Sequence, residues 1–300
     1  MHFLIASIIS LFSSAAMMKP DSLHEQEIPI VTIGIVADAQ YADADASGTR
    51  YYRASLHKLR ESYDIFEKEN VDFIINLGDI IDHGYDSFIP VLAIIDSSNR
   101  MTYHITGNHD YSVEDKSKGW LPVLRQNQKG YFATNKEGIA IIYLNGNDIS
   151  TYAPADSAVI GTNKKYLDSL KSAIAINAMD WNGGIGKIQM QYLKKTLDYC
   201  LKHHNKVIIA CHFPVFPENV HNLLNCKEVL DLIQKYDNVV AWFSGHNHAG
   251  NFGILNKTHF VTFRGMVETE SENSFAIAYI FDDHIRIRGF GREESRILRY

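Results

Sequence analysis

The chain has 300 residues, of which 46% are hydrophobic, 21% are charged and 11% are aromatic. This is the composition of an ordinary globular protein, and it excludes a disordered, collagen-like, coiled-coil or multi-span membrane protein. The length allows one large α/β domain or two smaller domains with a well-buried core. The formal net charge is −6, and the sequence contains no basic block of the kind that binds nucleic-acid polymers.

The beginning of the chain is typical of an export signal. An apolar run occupies most of residues 1–16, and Lys19 is the first charged side chain in the sequence. The run is too short for a membrane span and ends in Ser-Ala-Ala, a pattern typical of signal-peptide cleavage. We therefore expect residues 1–16 to be a signal peptide and residues 17–300 to form one mature domain, which is periplasmic or secreted and has no membrane anchor. The alternatives are a buried N-terminal helix in a cytoplasmic protein and an uncleaved anchor.

The mature sequence alternates between apolar strands and amphipathic helices. Residues 30–37 are almost all apolar and rich in β-branched side chains, as in a strand buried on both faces. Similar patterns predict strands over residues 72–77, 101–105, 207–211 and 239–243, helices near 56–66, 88–95, 193–201 and 229–236, and a hairpin of 131–134 with 139–145. The last part of the chain alternates like antiparallel strands over residues 259–263, 274–280 and 284–289. This order of elements indicates an α/β fold in which helices cover a system of sheets.

Residues 145–186 are the longest stretch without strong periodicity. The stretch is polar and contains Gly183, Gly184 and Gly186. We expect it to be a surface loop that lies near a functional site. The sequence contains no internal repeat, low-complexity tract or proline- and serine-rich linker, and this favours a single mature domain.

Side chains that commonly bind metals follow almost every predicted buried strand. Two carboxylates, two carboxamides and three imidazoles occur at these strand ends: Asp38, Gln40, Asp79, Asn108, His212, His246 and His248. Because the carboxyl ends of the strands in an α/β sheet form one rim, we expect these side chains to meet there. The set is large enough for two metal ions if Asp79 bridges them. Oxygen and imidazole ligands without a thiolate favour Mn, Fe, Zn or Mg over a structural zinc.

Each strand-end motif, taken singly, also has an ordinary structural explanation. A polar pair at a strand end is a common turn or helix cap, and His246 and His248 alone could be surface histidines. Cys211 alternates with His212 along a strand, so we expect Cys211 to point into the core. The occurrence of five motifs in order, each at a strand end, favours a metal site over a set of turns.

The order of the strand-end motifs resembles that of a known family. The motifs are Asp38-x-Gln40, Gly78-Asp79-x-x-Asp82, Gly107-Asn108-His109-Asp110, a lone His212 and Gly245-His246-x-His248. In this arrangement the chain resembles the calcineurin-type metallophosphoesterases from residue 30 to about residue 289. The resemblance implies a four-layer αββα sandwich. Gln40 departs from the family pattern, which usually has a histidine at this position.

Segments outside these motifs resemble one subgroup of the family, the manganese-dependent ADP-ribose/CDP-alcohol diphosphatases. These segments span residues 34–43, 48–53, 183–186 and 265–269. The resemblance implies a hydrolase that uses metal-activated water to cleave the diphosphate bond of ADP-ribose, CDP-alcohols such as CDP-choline and related nucleoside-diphosphate compounds. Alternatives of the same fold are a cyclic-nucleotide phosphodiesterase and a phosphomonoesterase. An alternative of another class is a non-catalytic module that binds metal or nucleotide.

The resemblance also implies roles for individual residues. One ion binds Asp38, Gln40, Asp79 and His248, and the other binds Asp79, Asn108, His212 and His246. The neutral amide oxygen of Gln40 is a weaker ligand for borderline-soft ions than an imidazole, and this favours Mn²⁺. His109 protonates the leaving oxygen or stabilises the transition state, and Asp110 orients it. Asp82 hydrogen-bonds a metal ligand.

Four further residues are candidates for substrate binding. The planar guanidinium of Arg50 suits a phosphate contact, and a surface salt bridge is an equal alternative. Tyr41, Tyr51 and Phe216 are candidates for stacking on a base, although aromatic side chains near strands more often pack in a core.

Overall fold

The computed structural model describes residues 27–125, 127–154 and 156–300. The predicted signal peptide, residues 1–16, lies outside these described residues. Within them, twelve strands, five α-helices and four short 3₁₀ helices follow one another along the chain. Among the helices of these ranges, none combines the length and the apolar character that a membrane crossing requires.

The elements have the following bounds. The strands are β1 Val31–Val36, β2 Phe73–Asn76, β3 Thr102–His104, β4 Phe132–Lys136, β5 Ile139–Leu144, β6 Lys206–Cys211, β7 Val239–Ser244, β8 Asn251–Leu255, β9 Thr258–Thr262, β10 Ser274–Ile280, β11 His284–Gly291 and β12 Arg296–Arg299. The α-helices are α1 Ala54–Lys68, α2 Phe88–Asp96, α3 Ser157–Ser172, α4 Lys187–Lys202 and α5 Cys226–Ile233. The 3₁₀ helices are Tyr85–Ser87, His109–Tyr111, Asp115–Trp120 and Pro122–Leu124.

The strands form two six-stranded sheets. The first sheet has the order β12-β11-β10-β1-β2-β3, and the second has the order β4-β5-β6-β7-β9-β8. Strands β1, β2 and β3 are parallel, as are β5, β6, β7 and β9. The remaining pairs are antiparallel. Each sheet therefore has one edge at which the carboxyl ends of several parallel strands lie side by side, as the sequence predicted.

The two sheets pack face to face, and helices cover their outer faces. Ile33 and Ile35 of β1 join Ile208 of β6 in the core between the sheets. Phe66 of α1 packs on the outer face of the first sheet, and Leu193 of α4 packs on the outer face of the second. This arrangement confirms the predicted four-layer αββα sandwich.

The prediction of a loop over residues 145–186 was wrong for residues 157–172, because these residues form α3. Only Asn163 and Leu167 of α3 are buried, so its sequence carries no broad apolar stripe that would mark a helix. The helix begins after Asp156, whose side chain accepts a hydrogen bond of 2.8 Å from the amide of Ala158. This N-cap stabilises a helix that the apolar pattern does not indicate.

The end of the chain also differs from its predicted pairing. β9 belongs to the second sheet and pairs in parallel with β7, whereas the sequence pattern suggested a run of antiparallel strands. Its antiparallel neighbour is β8, a strand that was not predicted, and β12 was also missed. Both missed strands lie at sheet edges, where alternate residues remain partly or fully exposed. Short edge strands of this kind lack the continuous apolar run of a buried strand.

Gly34 of β1 lies directly beneath the ring of Phe66. A methyl group at Gly34 would lie 2.9 Å from Cγ of Phe66, so one of the two elements would have to move. We expect Gly34→Ala to lower the free energy of unfolding by about 1–3 kcal/mol, measured by thermal unfolding. In the double variant with Phe66→Ala, which removes Cγ and both Cδ atoms, the clash should be relieved, so that the combined loss is less than the sum of the single losses. Strictly additive losses would contradict this explanation.

Candidate metal centre

All seven side chains that were predicted as metal ligands come together at the joint edge of the two sheets. His212, which follows β6 of the second sheet, places Nε2 3.2 Å from Oδ2 of Asp79, which follows β2 of the first. His248 places Nε2 3.6 Å from Oδ1 of Asp38. Asn108 lines the same cavity as Gln40, Asp79, His246 and His248. Five of the seven are almost completely buried: Asp38, Gln40, Asp79, His212 and His246.

The backbone around these ligands is strained. Four ligands have φ between 42° and 68°, in the left-handed region that few residues other than glycine adopt: Asp38, Gln40, Asp79 and His246. Such conformations persist only where the surrounding structure fixes them, and they cluster at functional sites. The turns at the ends of β1, β2 and β7 are therefore shaped by the direction in which the ligands must point.

Two glycines let the buried carboxylates approach the main chain. A Cβ atom at Gly107 would lie 2.1 Å from Oδ1 of Asp79, and one at Gly245 would lie 2.5 Å from Oδ2 of Asp38. No side chain can be accommodated at such distances, so glycine is required at both positions. This is the physical reason for the glycine that precedes the ligand in each of these motifs.

Asp79 lies between the two halves of the centre. Its Oδ2 is 3.3 Å from Nε2 of Gln40 and 3.2 Å from Nε2 of His212. Its Oδ1 accepts a hydrogen bond of 2.7 Å from the amide of His109. Burial raises the pKa of Asp79, but the imidazoles of His212 and His109 outweigh burial and hold this pKa below its usual range. The carboxylate is therefore charged, and it lies between residues predicted to bind one ion and residues predicted to bind the other.

Each histidine of the Gly-His-x-His motif is held by a further side chain. Nε2 of His246 donates to Oδ1 of Asn182 at 2.9 Å, and Nδ1 of His248 donates to Oε1 of Glu268 at 2.7 Å. An imidazole that donates one N–H presents its other nitrogen to a metal. The nitrogens available for ions are therefore Nδ1 of His246 and Nε2 of His248.

The sequence analysis assigned no role to Asn182 or Glu268. Glu268 lies within the segment 265–269 and Asn182 lies directly before the segment 183–186, so both were close to the subgroup resemblance. Asn182 is nevertheless 64 residues from its partner His246, and Glu268 is 20 residues from its partner His248. No local pattern connects residues at these distances, so only the folded structure shows the pairs.

The residues of the centre fit divalent ions. Three polar atoms are buried and have no hydrogen-bond partner within the described residues: Oε1 of Gln40, Oδ1 of Asn108 and Nε2 of His212. An unpaired buried polar atom costs about 1–3 kcal/mol. Asp79, His212 and His246 also place one ligand atom each within 4.8 Å of one another. Oxygen and imidazole donors in this arrangement suit a centre for two divalent ions.

The structure corrects the predicted partner of His109. Nδ1 of His109 lies 3.1 Å from Oδ1 of Asp82 and 3.0 Å from the carbonyl oxygen of the same residue. The role predicted for Asp110 was therefore wrong, because Asp82 orients His109. Asp82 was predicted to hydrogen-bond a metal ligand, whereas its side chain contacts His109.

Asp110 instead joins two of the ligand-bearing loops. Its carboxylate accepts hydrogen bonds from the amides of Asp79 and Gly107 at Oδ2 (3.0 and 2.9 Å) and from the amide of Ile80 at Oδ1 (3.0 Å). Both carboxylate oxygens thus face main-chain donors, so the side chain is turned away from the ring of His109. Asp110 therefore stabilises the loops that carry the ligands, and its carboxylate does not contact His109.

A cavity of about 310 Å³ opens above the ligands. Arg50, Trp181 and His221 line it in addition to the ligands and His109. Nε of Arg50 lies 3.9 Å from Oε1 of Glu268, so Arg50 forms an ion pair with Glu268 while it lines the cavity, and its contact with a substrate phosphate stays a prediction.

The three aromatic residues predicted to stack on a base are not among those that line the cavity. Tyr41 packs against the core beneath α1, and Phe216 packs against Phe260 and the core of the second sheet. Tyr51 is tied through its amide to the carbonyl of Val267 at 2.9 Å. The aromatic side chain at the cavity is Trp181, which is 46% exposed and which the sequence analysis missed because it lies in the aperiodic stretch.

Centres for two divalent ions occur in phosphatases, nucleases and aminopeptidases, so the site favours metal-assisted hydrolysis. Residues 31–250 match the family described as calcineurin-like phosphoesterase, and the chain belongs to this family.

Named relatives and a solved structure cover almost the whole chain. A Xenopus laevis protein named manganese-dependent ADP-ribose/CDP-alcohol diphosphatase is 28% identical, over 91% of this chain and 92% of its own length. A Mus musculus protein of the same name is 26% identical, over 95% of this chain and 98% of its own length. The crystal structure of a dimetal phosphatase from Danio rerio superposes with a TM-score of 0.82 at 24% identity, over 91% of this chain and 99% of that one. The predicted family and fold are thereby confirmed.

The shared position of Asp79 has a measurable consequence for metal binding. We expect Asp79→Asn to weaken both Mn²⁺ binding events in titration calorimetry, because both ions lose the same charged ligand. Asn108→Ala should weaken only one event, by about tenfold or more. Asp115→Asn, which removes an exposed carboxylate outside the centre, is the matched control and should bind Mn²⁺ like the unchanged chain. A loss confined to one event in Asp79→Asn would contradict a shared carboxylate.

Proposed function

We propose that this chain hydrolyses the diphosphate bond of nucleoside-diphosphate compounds, with ADP-ribose and CDP-alcohols such as CDP-choline as substrates. The products are a nucleotide and either a sugar phosphate or a phosphoryl alcohol. The observation that carries the proposal is a buried cluster of carboxylate, carboxamide and imidazole side chains that opens into a cavity of about 310 Å³, a size typical of small-molecule sites. The shared name of the relatives supplies the substrate class.

The charge of the centre suits a diphosphate. Asp38 and Asp79 are the only carboxylates among the seven predicted ligands, so two divalent ions leave the centre with a net positive charge. Arg50 brings a further cation to the cavity. A guanidinium binds phosphate oxygens through two parallel hydrogen bonds, so Arg50 is the candidate contact to the phosphate that does not react.

The ions, when bound, polarise the phosphoryl group and lower the pKa of a water molecule. Water adds to one phosphorus, and the bond from that phosphorus to the bridging oxygen breaks. The departing phosphate oxygen takes a proton from His109, the proton that the attacking water loses passes to solvent, and solvent returns a proton to His109. Burial lowers the pKa of His109, but the carboxylates of Asp79 and Asp82 outweigh burial and raise it to about 9. Asp82 is not among the seven predicted ligands, and its carboxylate oxygen Oδ1, 3.1 Å from Nδ1 of His109, favours the protonated ring that a general acid needs.

Trp181 is the candidate contact to the base. Its ring is half-exposed at the cavity, and a flat aromatic surface at the edge of a polar site suits stacking on a nucleobase. Asn182, the next residue, donates hydrogen bonds to the carbonyls of Asn177 and Val220 at 2.8 and 2.7 Å. These bonds hold the backbone beside Trp181 in place.

The reaction is tested on the purified chain after removal of metal with a chelator and reloading with Mn²⁺, Mg²⁺ or Zn²⁺. Each form receives ADP-ribose, CDP-choline, a cyclic nucleotide and a phosphomonoester, and the products are separated by chromatography. We expect AMP and CMP to appear mainly with Mn²⁺, because the amide oxygen of Gln40 replaces an imidazole that would favour softer ions.

Two outcomes would contradict the proposal in different ways. Preferential cleavage of the cyclic nucleotide or the monoester would refute the substrate class and leave the metal chemistry intact. Absence of turnover with every metal would favour a non-catalytic binding module. His109→Asn is the matched variant, which we expect to slow turnover by about 10²–10⁴-fold while the affinity for Mn²⁺ is retained.

Trp181→Ala tests the contact to the base. We expect KM for ADP-ribose to rise by about three- to tenfold, the value of one lost stacking contact, with kcat almost unchanged because the reacting atoms lie elsewhere. Trp181→Phe should restore most of the affinity. Trp120→Ala, at a tryptophan that is 68% exposed and does not line the cavity, should leave KM unchanged. An unchanged KM in Trp181→Ala would place the base elsewhere.

A further inference from the structure

A lysine is buried behind the metal centre. Lys58 of α1 is only 1% exposed. Its Nζ donates hydrogen bonds to the carbonyls of Met266, of Glu268 at 3.1 Å and of Thr269 at 2.8 Å. All three acceptors belong to the main chain of one short segment, residues 265–269, which we call the shelf segment.

The shelf segment connects two loops of the site. The amide of Val267 donates to the carbonyl of Asp38 at 3.0 Å, and its carbonyl accepts from the amide of Tyr51 at 2.9 Å. The amide of Thr269 donates to the carbonyl of Thr49 at 3.0 Å. One side of the segment therefore contacts the loop after β1, which carries Asp38, and the other side contacts the loop that carries Arg50.

The side chain of Glu268 projects from the shelf segment into the site. Its Oε1 accepts the hydrogen bond from Nδ1 of His248 at 2.7 Å and lies 3.9 Å from Nε of Arg50. The position of this one oxygen sets the plane of the His248 ring, and with it the direction of the nitrogen that faces Asp38. A shift of the shelf segment would move a metal ligand without touching the metal.

We propose that Lys58 is a positioning residue of the metal centre. Lys58 fixes the shelf segment, so that Glu268 holds His248 in the orientation in which it would bind its ion. Three N–H donors on one ammonium match three carbonyls that would otherwise be buried with fewer partners. Arg292 supports the same segment, since its Nη2 donates to the carbonyls of Gly265 and of Glu268.

The chemistry of Lys58 favours a positioning role over simple packing. Burying an ammonium is unfavourable unless it is hydrogen-bonded, and a methionine would fill the same space without this cost. Burial lowers the pKa of Lys58 to about 8, and the charge of Arg292 adds to this effect. At neutral pH the side chain still carries its charge and all three donors.

The test is titration of Mn²⁺ into metal-free protein at pH 7, followed by calorimetry, so it does not depend on the proposed substrate. We expect Lys58→Met to weaken one of the two binding events by about tenfold and to leave the other unchanged. Glu268→Ala should weaken the same event. In the double variant the loss should be no greater than in Glu268→Ala alone, because Lys58 acts through Glu268.

Tyr63→Phe is the matched control, because Tyr63 is buried on the same helix and bonds Thr102 at 3.1 Å, away from the shelf segment. It should bind both ions like the unchanged chain even if its melting temperature falls.

Three outcomes would each overturn the proposal: equal weakening of both events in Lys58→Met, unchanged binding in Lys58→Met, or additive losses in the double variant. If Lys58→Met does not fold by circular dichroism, Lys58→Gln retains one donating group and should weaken the same event by a smaller factor; unchanged binding there would equally overturn the proposal.

Discussion

Two carboxylates without access to solvent, Asp38 and Asp79, are the constraint on which the rest of this structure depends. An ionised carboxylate cannot be buried unless hydrogen bonds and opposite charge replace the lost water. The amide of His246 donates to Asp38 at 3.0 Å, and the amide of His109 donates to Asp79 at 2.7 Å. Left-handed turns and adjacent glycines bring these amides close enough, and divalent ions supply the remaining positive charge. The strained backbone is therefore a consequence of the buried charge.

The support of the centre is built from polar groups that never contact the ions. Asp110 ties the loop after β2 to the loop after β3 through three main-chain amides. Asn182 and Glu268 each hold one histidine, and Lys58 holds the segment that carries Glu268. Metal centres depend on such outer groups almost as strongly as on the ligands themselves, because a ligand that can rotate binds weakly. Asp110 lies in the short 3₁₀ helix after β3, Asn182 and Glu268 lie in loops, and Lys58 lies on α1.

The parts of the molecule that could be predicted from sequence are those that local chemistry determines. Apolar β-branched runs identify the buried strands, and polar residues at their ends identify the ligands, because both signals occupy a few consecutive residues. The partner of His109 could not be found in this way, since Asp82 and Asp110 are both nearby in sequence and only the turn geometry selects Asp82. Trp181 was missed for a different reason: its stretch was expected near a functional site, but nothing in the local pattern shows which of its side chains reaches the cavity.

The origin of the ligands in two different sheets has a consequence for the stability of the whole chain. Asp38 and Asp79 follow strands of the first sheet, whereas His212 and His248 follow strands of the second. An ion held by these side chains would therefore cross-link the two halves of the sandwich, and it could bind in this way only while the halves remain packed together. By mass action, the free energy of ion binding is then added to the free energy of unfolding, and it grows with the concentration of free metal. The supply of metal would thus set what fraction of the chain is folded as well as how fast the chain works.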